Sequence, residues 1–186
     1  MAVISTPLTL EEFLQLPEEE PALEFAEGLV TQKVSPKGRH STLQGELIKQ
    51  LDRAGLPHKV ARAFPELRAT FAGVSRVPDI AVYRWDRIPV DARGEVTDVF
   101  TVPPDIAIEI VSPEQSVNAL VRRCYWYVAN GVQVALLVDP ADRSVLAFRP
   151  NLPASAWSGS DRIDVSEVVP DLELSVDQLF ASLRQE

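Results

Sequence analysis

Apolar residues recur along this chain with two periods, and the switches between them lay out the elements. Short alternating or continuous runs of Ile, Val, Leu and Ala read as strands, and apolar residues every three or four positions read as helices. Thr9 to Leu16 predicts a short helix, with Thr9 as N-cap, Glu12 completing a capping box and Pro17 past its end. Leu23-Glu24-Phe25 and Leu29–Val34 flank Ala26-Glu27-Gly28, a hairpin signal. From about Gly38 to Ala54 the stripe Leu43, Leu47, Ile48 and Leu51 predicts an amphipathic helix, with Gly55 as its C-terminal cap. Val60–Phe64, Leu67–Phe71, Pro78–Tyr83 and Ile106–Val111 predict strands. Residues 86–104, rich in Pro, Gly and charge, predict a connecting loop. A second strong helix runs from about Ser116 to Asn130, capped by Gly131. Gln133–Val138 and Ser144–Arg149 follow as strands around an Asp139-Pro140 turn, with residues 150–160 as a loop. Ser175 and Gln178 open a final short helix with another capping box. The order predicts an α/β (α+β) fold: a mixed sheet with helices against it, in one domain over residues 1–186.

Acids interrupt the apolar strands, and they change the picture from fold to chemistry. The runs are Val77-Pro78-Asp79-Ile80-Ala81-Val82-Tyr83 and Pro104-Asp105-Ile106-Ala107-Ile108-Glu109-Ile110-Val111-Ser112. A carboxylate in such a run is costly to bury without a proton, a partner or a metal. Asp105 and Glu109 share a strand face but stand roughly 13 Å apart at about 3.3 Å per residue, too far to hold one ion. Adjacent strands lie only about 4.8 Å apart, so Asp79 meets Glu109 if their strands pair. One expectation is therefore an Asp79–Glu109 metal pair; the other is two strand-end acids that cap loops or pair with arginines.

On the helix after Glu109, Val117, Leu120, Cys124 and Tyr127 define the expected buried face at 100° per residue. Arg123 sits at the edge of that face and Arg122 nearly opposite it, toward solvent. Arg123 either reaches along the sheet to the carboxylates or is a boundary arginine paired with an acid. Tyr127 reads as core with a satisfied hydroxyl. Glu46 reads as solvated.

Composition narrows the classes. No apolar run approaches the ~20 residues of a membrane span, and Met1–Pro7 lacks the basic and apolar regions of a secretory signal. A lone Cys124 excludes an internal disulfide and a cysteine-rich zinc site, and two histidines, His40 and His58, argue against a His-based cluster. A cytoplasmic location is the expectation. The net charge of −9 argues against a protein that coats nucleic acid. Yet residues 31–76 carry nine Lys or Arg against three acids, which suits a phosphate-bearing substrate beside a metal site or, equally, solvated surfaces. Fifteen prolines, a single methionine and Arg in excess of Lys point toward a heat-stable, thermophilic source.

One array of motifs carries a resemblance. In order, it is Leu23-Glu24-Phe25-Ala26-Glu27-Gly28; His40 opening a helix; Pro78-Asp79; Pro104-Asp105-Ile106-Ala107-Ile108-Glu109-Ile110-Val111-Ser112-Pro113; Tyr127-Val128-Ala129-Asn130-Gly131-Val132; and Leu137-Val138-Asp139-Pro140. Over residues 8 to about 180 the chain resembles the Uma-type restriction endonucleases of the PD-(D/E)XK nuclease superfamily. The resemblance implies a restriction-endonuclease-like fold, a central mixed sheet flanked by helices, with Asp79 and Glu109 as metal-binding acids. The superfamily's usual lysine, two residues past the second acid, is Val111 here. The Uma-type pattern moves that lysine to the following helix, where this chain has Arg123, and an Asp common four residues earlier is Ala119. The last lysine in the chain is Lys59. Arginine stabilises developing negative charge but is a poor general base.

By the same resemblance Glu24 is a further acid near the metal or a hairpin residue in a salt bridge. His40 either touches DNA phosphate or water, or makes a backbone contact at a helix start. The expectation is a Mg2+- or Mn2+-dependent hydrolase of DNA phosphodiester bonds, working as a homo-oligomer, a dimer that cuts two strands. The rival is a catalytically degenerate binding module on a nuclease fold, favoured by the missing Lys, the missing Asp and the acidic overall charge.

Overall fold

A computed structural model describes residues 8–185; the Met1–Pro7 segment read above for secretion lies outside them. The chain runs α1 (Leu10–Phe13), β1 (Leu23–Ala26), β2 (Leu29–Gln32), α2 (Gly38–Gly55), β3 (Ala61–Pro65), β4 (Ala69–Phe71), β5 (Val74–Arg76) and β6 (Ile80–Arg84). It continues through β7 (Ile106–Ile110), α3 (Val117–Ala129), β8 (Val134–Asp139), β9 (Ser144–Phe148), β10 (Ser155–Ser158) and α4 (Val176–Ala181). Both expected capping boxes form: Thr9 with Glu12, and Ser175 with Gln178.

Two sheets share the load. Six strands in the order β10-β9-β8-β7-β6-β3 make the larger, mixed sheet, in which only β7 and β8 run parallel. Their connection is α3, as a parallel pair requires. Four antiparallel strands, β2-β1-β5-β4, make a smaller second sheet. Its hairpin closes through Glu27 and Gly28, both at positive φ, which the right-handed twist of the flanking strands favours.

The period-two alternation of β7 assigns its faces. Ile106, Ile108 and Ile110 join Leu43, Leu47 and Leu51 of α2 in one core, with Leu179 and Phe180 of α4. Ala107 points the other way, into the core with Leu120, Cys124 and Tyr127 of α3. Glu109, in phase with Ala107, is therefore delivered to the α3 side.

Four readings change. Val117 is exposed, because α3 begins there and the helix buries Val128 at its far end instead. Gly55 is not a left-handed cap; it ends α2 in right-handed geometry, and a Cβ there would stand 2.5 Å from the Ala61 carbonyl oxygen. The 150–160 segment holds the edge strand β10, paired antiparallel with β9. The 67–76 region is a tight β4–β5 hairpin turned by Ala72 and Gly73, both at positive φ.

Candidate active site

The antiparallel register of β6 and β7 pairs Ile80 with Ile108, and one step further sets Asp79 opposite Glu109. Both side chains are buried. They have different partners. Asp79 Oδ2 accepts a 2.7 Å hydrogen bond from the Ile110 amide, which pins the carboxylate to the end of β7. Its Oδ1 takes the Lys33 ammonium at 2.8 Å, and His40 Nε2 stands 3.5 Å away without forming a hydrogen bond. Burial pushes the Asp79 carboxyl up, but the His40 ring and the Lys33 charge outweigh it and hold the group below its usual range.

Glu109 accepts from the Tyr127 hydroxyl at 2.7 Å and from Arg123 at 3.4 Å. Arg123 spends most of its fork on Glu24, with Nη2–Oε2 at 2.6 Å and Nη1–Oε1 at 3.1 Å. Glu24 sits mid-strand in β1, its Oε1 also accepting from the Val77 amide at 2.8 Å. Burial pushes Glu109 up to about 7; Arg123 opposes that shift, while Asp79 and Glu24 add to it. Desolvation pulls the Arg123 and Lys33 ionisations down, but Glu109 and Glu24 outweigh it at Arg123, and Asp79, Glu109 and Glu66 at Lys33, so both are raised.

Lys33 and Glu66 belong to this site, and neither was singled out from the sequence. Lys33 follows the end of β2 and bridges Asp79 to Glu66, whose Oε2 is 2.6 Å from Nζ. Gln44 of α2 binds Glu66 Oε1 at 3.1 Å and the Asp79 carbonyl at 2.7 Å. His40, in the first turn of α2, is held through Nδ1 at 3.2 Å from Ser112 Oγ, and among the described residues its buried Nε2 has no hydrogen-bond partner. The only sequence signal for Lys33 was the basic excess of residues 31–76.

Glu24, Glu109 and Arg123 thus form one closed group, and Asp79, His40, Lys33 and Glu66 adjoin it. A cavity of about 860 Å³ opens beside the second group: Lys33, His40, Gln44 and Glu66 line it, while Asp79, Glu109 and Tyr127 lie behind that wall. Glu18, Glu19, Glu20 and Asp98 also line it. His40, Glu66 and Asp79 each offer one ligand atom, all within 4.8 Å of one another. Four carboxyls (Glu24, Glu66, Asp79, Glu109) share two Lys or Arg cations, Lys33 and Arg123. Glu66 is exposed, so three buried carboxyls face these two cations, and the remaining buried negative charge calls for a proton or a further cation. The second Pro-Asp pair contributes nothing here: Asp105 is bound elsewhere, to Arg84, Arg87 and Gln133.

A mixed sheet that brings buried acids together at the ends of two neighbouring strands, flanked by helices, is the restriction-endonuclease-like class of nuclease fold. The chain belongs to the Uma2 family, described as "Putative restriction endonuclease", whose family profile matches residues 10–177. It is similar to a crystal structure titled "putative nuclease belonging to DUF820" from Anabaena variabilis, with 39% sequence identity and a TM-score of 0.93. That match covers 96% of this chain and 100% of the other. No curated protein matches. The family and the structural neighbour support a nuclease-like function.

Proposed function

We propose that the protein is a divalent-metal-dependent endonuclease that hydrolyses phosphodiester bonds of DNA, with Mg2+ or Mn2+ as its cation. The observation that carries this reading is the buried His40 Nε2, without a hydrogen-bond partner, 3.5 Å from Asp79 on the wall of the large cavity. An orphaned ring nitrogen beside two carboxylates is a donor set that fits a metal. Asp79 would hold the ion, with Glu109 across the strand pair as the second acid and His40 and Glu66 from the cavity side. When bound, the cation supplies Lewis-acid stabilisation of phosphoryl charge and lowers the pKa of a water.

The chain's own residues do the rest. The cavity admits a phosphodiester to Lys33, His40 and Glu66, the groups around Asp79, and the Ile110 amide fixes that carboxylate's orientation. Water attacks phosphorus in line and releases a proton to solvent; one P–O bond forms as the opposite one breaks, and the leaving oxygen takes up a proton from solvent. Arg123 and Tyr127 hold Glu109 from behind, which makes Arg123 a positioning residue in the resting protein. Glu24 holds Arg123 in turn. Cutting two strands asks for two such sites, so a homodimer is part of the proposal, as is a cytoplasmic location.

A second reading, a binding module without catalysis, is favoured by two specific observations. Arg123 is engaged by Glu24 and Glu109, and four acids of the cavity wall, Glu18, Glu19, Glu20 and Asp98, repel phosphate. Plasmid nicking across divalent metals separates the two. Nicking that needs Mg2+ or Mn2+, and that disappears in Asp79→Ala and Glu109→Ala while both variants stay folded, supports the enzyme. DNA left intact with every metal, or nicking that persists in either purified variant, refutes the catalytic assignment.

A further inference from the structure

We infer that Lys33 is a tethered cation that holds the metal position in the resting protein, leaves it when the metal binds, and then serves as the cavity's mobile phosphate-binding group. The inference rests on the metal-dependent reading above and goes beyond it, because it makes metal and substrate binding mutually reinforcing.

The geometry is that of a stand-in. Lys33 Nζ lies 2.8 Å from Asp79 Oδ1 and 2.6 Å from Glu66 Oε2, two of the three groups that could ligate a cation. Its side chain is only 8% exposed, so the ammonium has exchanged most of its water for these two oxygens. Mg2+ would bind the same oxygens at about 2.0–2.1 Å. A divalent ion and an ammonium sharing both oxygens would sit within a few ångströms of each other, where their like charges repel strongly. They are therefore alternatives. The third group, His40, supports this: Lys33 directs its donors at the two carboxylates, and among the described residues the His40 Nε2 is left without a hydrogen-bond partner.

The cavity provides somewhere to go. Lys33 sits on its wall with the following Val34, Ser35 and Pro36, and a four-carbon stem lets the charge swing into open space. Among the described residues, the other Lys or Arg on that wall is Arg68. It is committed to the Leu23 carbonyl at 2.9 Å, to Ser75 Oγ at 3.2 Å and to Glu18. A phosphate entering the cavity therefore meets one movable cation, Lys33, and by drawing it from Asp79 and Glu66 it vacates the acids for metal. Lys33 so takes the part that Val111 and Arg123 leave open: Val111 has no charge, and Arg123 is held by Glu24.

The test is calorimetric titration of Mn2+ into the full-length, metal-free protein, with and without dimethyl phosphate, the smallest phosphodiester. Lys33→Met should bind Mn2+ roughly 10- to 100-fold more tightly than wild type, since one charge at contact distance is removed. Lys33→Arg, which keeps the charge, should stay close to wild type. Dimethyl phosphate should tighten Mn2+ binding to wild type and leave Lys33→Met unmoved. A second measurement needs no variant: the 15N resonance of Lys33 Nζ in the wild type should shift on adding Mg2+. Equal Mn2+ affinity in wild type and Lys33→Met, or an unmoved Lys33 resonance when Mg2+ binds, overturns the inference and leaves the nuclease reading standing. Mn2+ that binds neither protein overturns both.

Discussion

Two Pro-Asp pairs open neighbouring strands of the same sheet, and their aspartates end in opposite situations. Asp105 is fully buried and saturated: it accepts from the Arg84 amide, from the Arg84 and Arg87 guanidiniums and from Gln133, all within 2.9 Å. Arg84 and Arg87 then reach on to the Glu167 and Pro103 carbonyls, so the acid ties the end of β6 to the 103–105 loop, to Gln133 before β8 and to the loop that holds Glu167. Asp79 is nearly as buried, but its partners are one amide, one flexible lysine and a histidine not in hydrogen-bond contact, beside a cavity. Burial of an acid is thus no functional signal by itself. The signal is a buried acid whose partners are adjustable and whose neighbourhood is accessible.

The largest effect should fall on the saturated acid. Asp105→Ala leaves Arg84 and Arg87 facing a void and should cost about 3–5 kcal/mol of stability by urea denaturation. Asp79→Asn should cost far less, because it takes one charge from an acid-rich cluster. A comparable loss at both positions would erase the distinction.

Next comes pH. Glu109 holds its proton up to about 7 in the folded chain, whereas the unfolded group has its ordinary value of 4.5. The folded state therefore binds that proton more tightly. This stabilisation is complete below pH 4.5 and is lost as the pH rises through about 7. The loss is about 3 kcal/mol over that window. Glu109→Gln should flatten that segment of the stability profile; an unchanged slope would place the titration elsewhere.

Smaller effects distinguish the two arginines and the tyrosine. Arg123→Ala strands Glu24 and should destabilise by about 2 kcal/mol, discounted from a fully buried pair because Arg123 is partly exposed. Arg122→Ala, on the exposed face, should fall within about 0.5 kcal/mol of wild type in the same denaturation. Tyr127→Phe removes one hydrogen bond to Glu109 and should cost about 1 kcal/mol. Equal, negligible losses at 122 and 123 would mean the Glu24–Arg123 fork contributes nothing.

Much of the fold was legible because periodicity reports burial. The stripe of α2 follows from it, while the β1–β2 hairpin and both capping boxes follow from local turn and capping chemistry. β10 was not legible: its Ser-Ala-Trp-Ser stretch is an edge strand with mostly exposed residues, so no alternation marks it. Val117 looked buried because helical phase ignores where the first turn meets solvent. At the site, the acids 79 and 109 stood out by interrupting apolar runs. Lys33 and Glu66 did not, because each lies in a polar segment and gains meaning only when β2, α2 and the end of β3 converge on Asp79. Lysine position along the chain was a misleading guide, since Lys33 precedes Asp79 by sequence and touches it in space.

Manganese-soaked crystals test the contrast between the two aspartates most directly, through the anomalous signal of the ion. The expected result is a peak ligated by Asp79, with Lys33 moved away from it and the Asp105 network unchanged. Mn2+ absent from Asp79 at millimolar concentration, or bound only elsewhere, would contradict it.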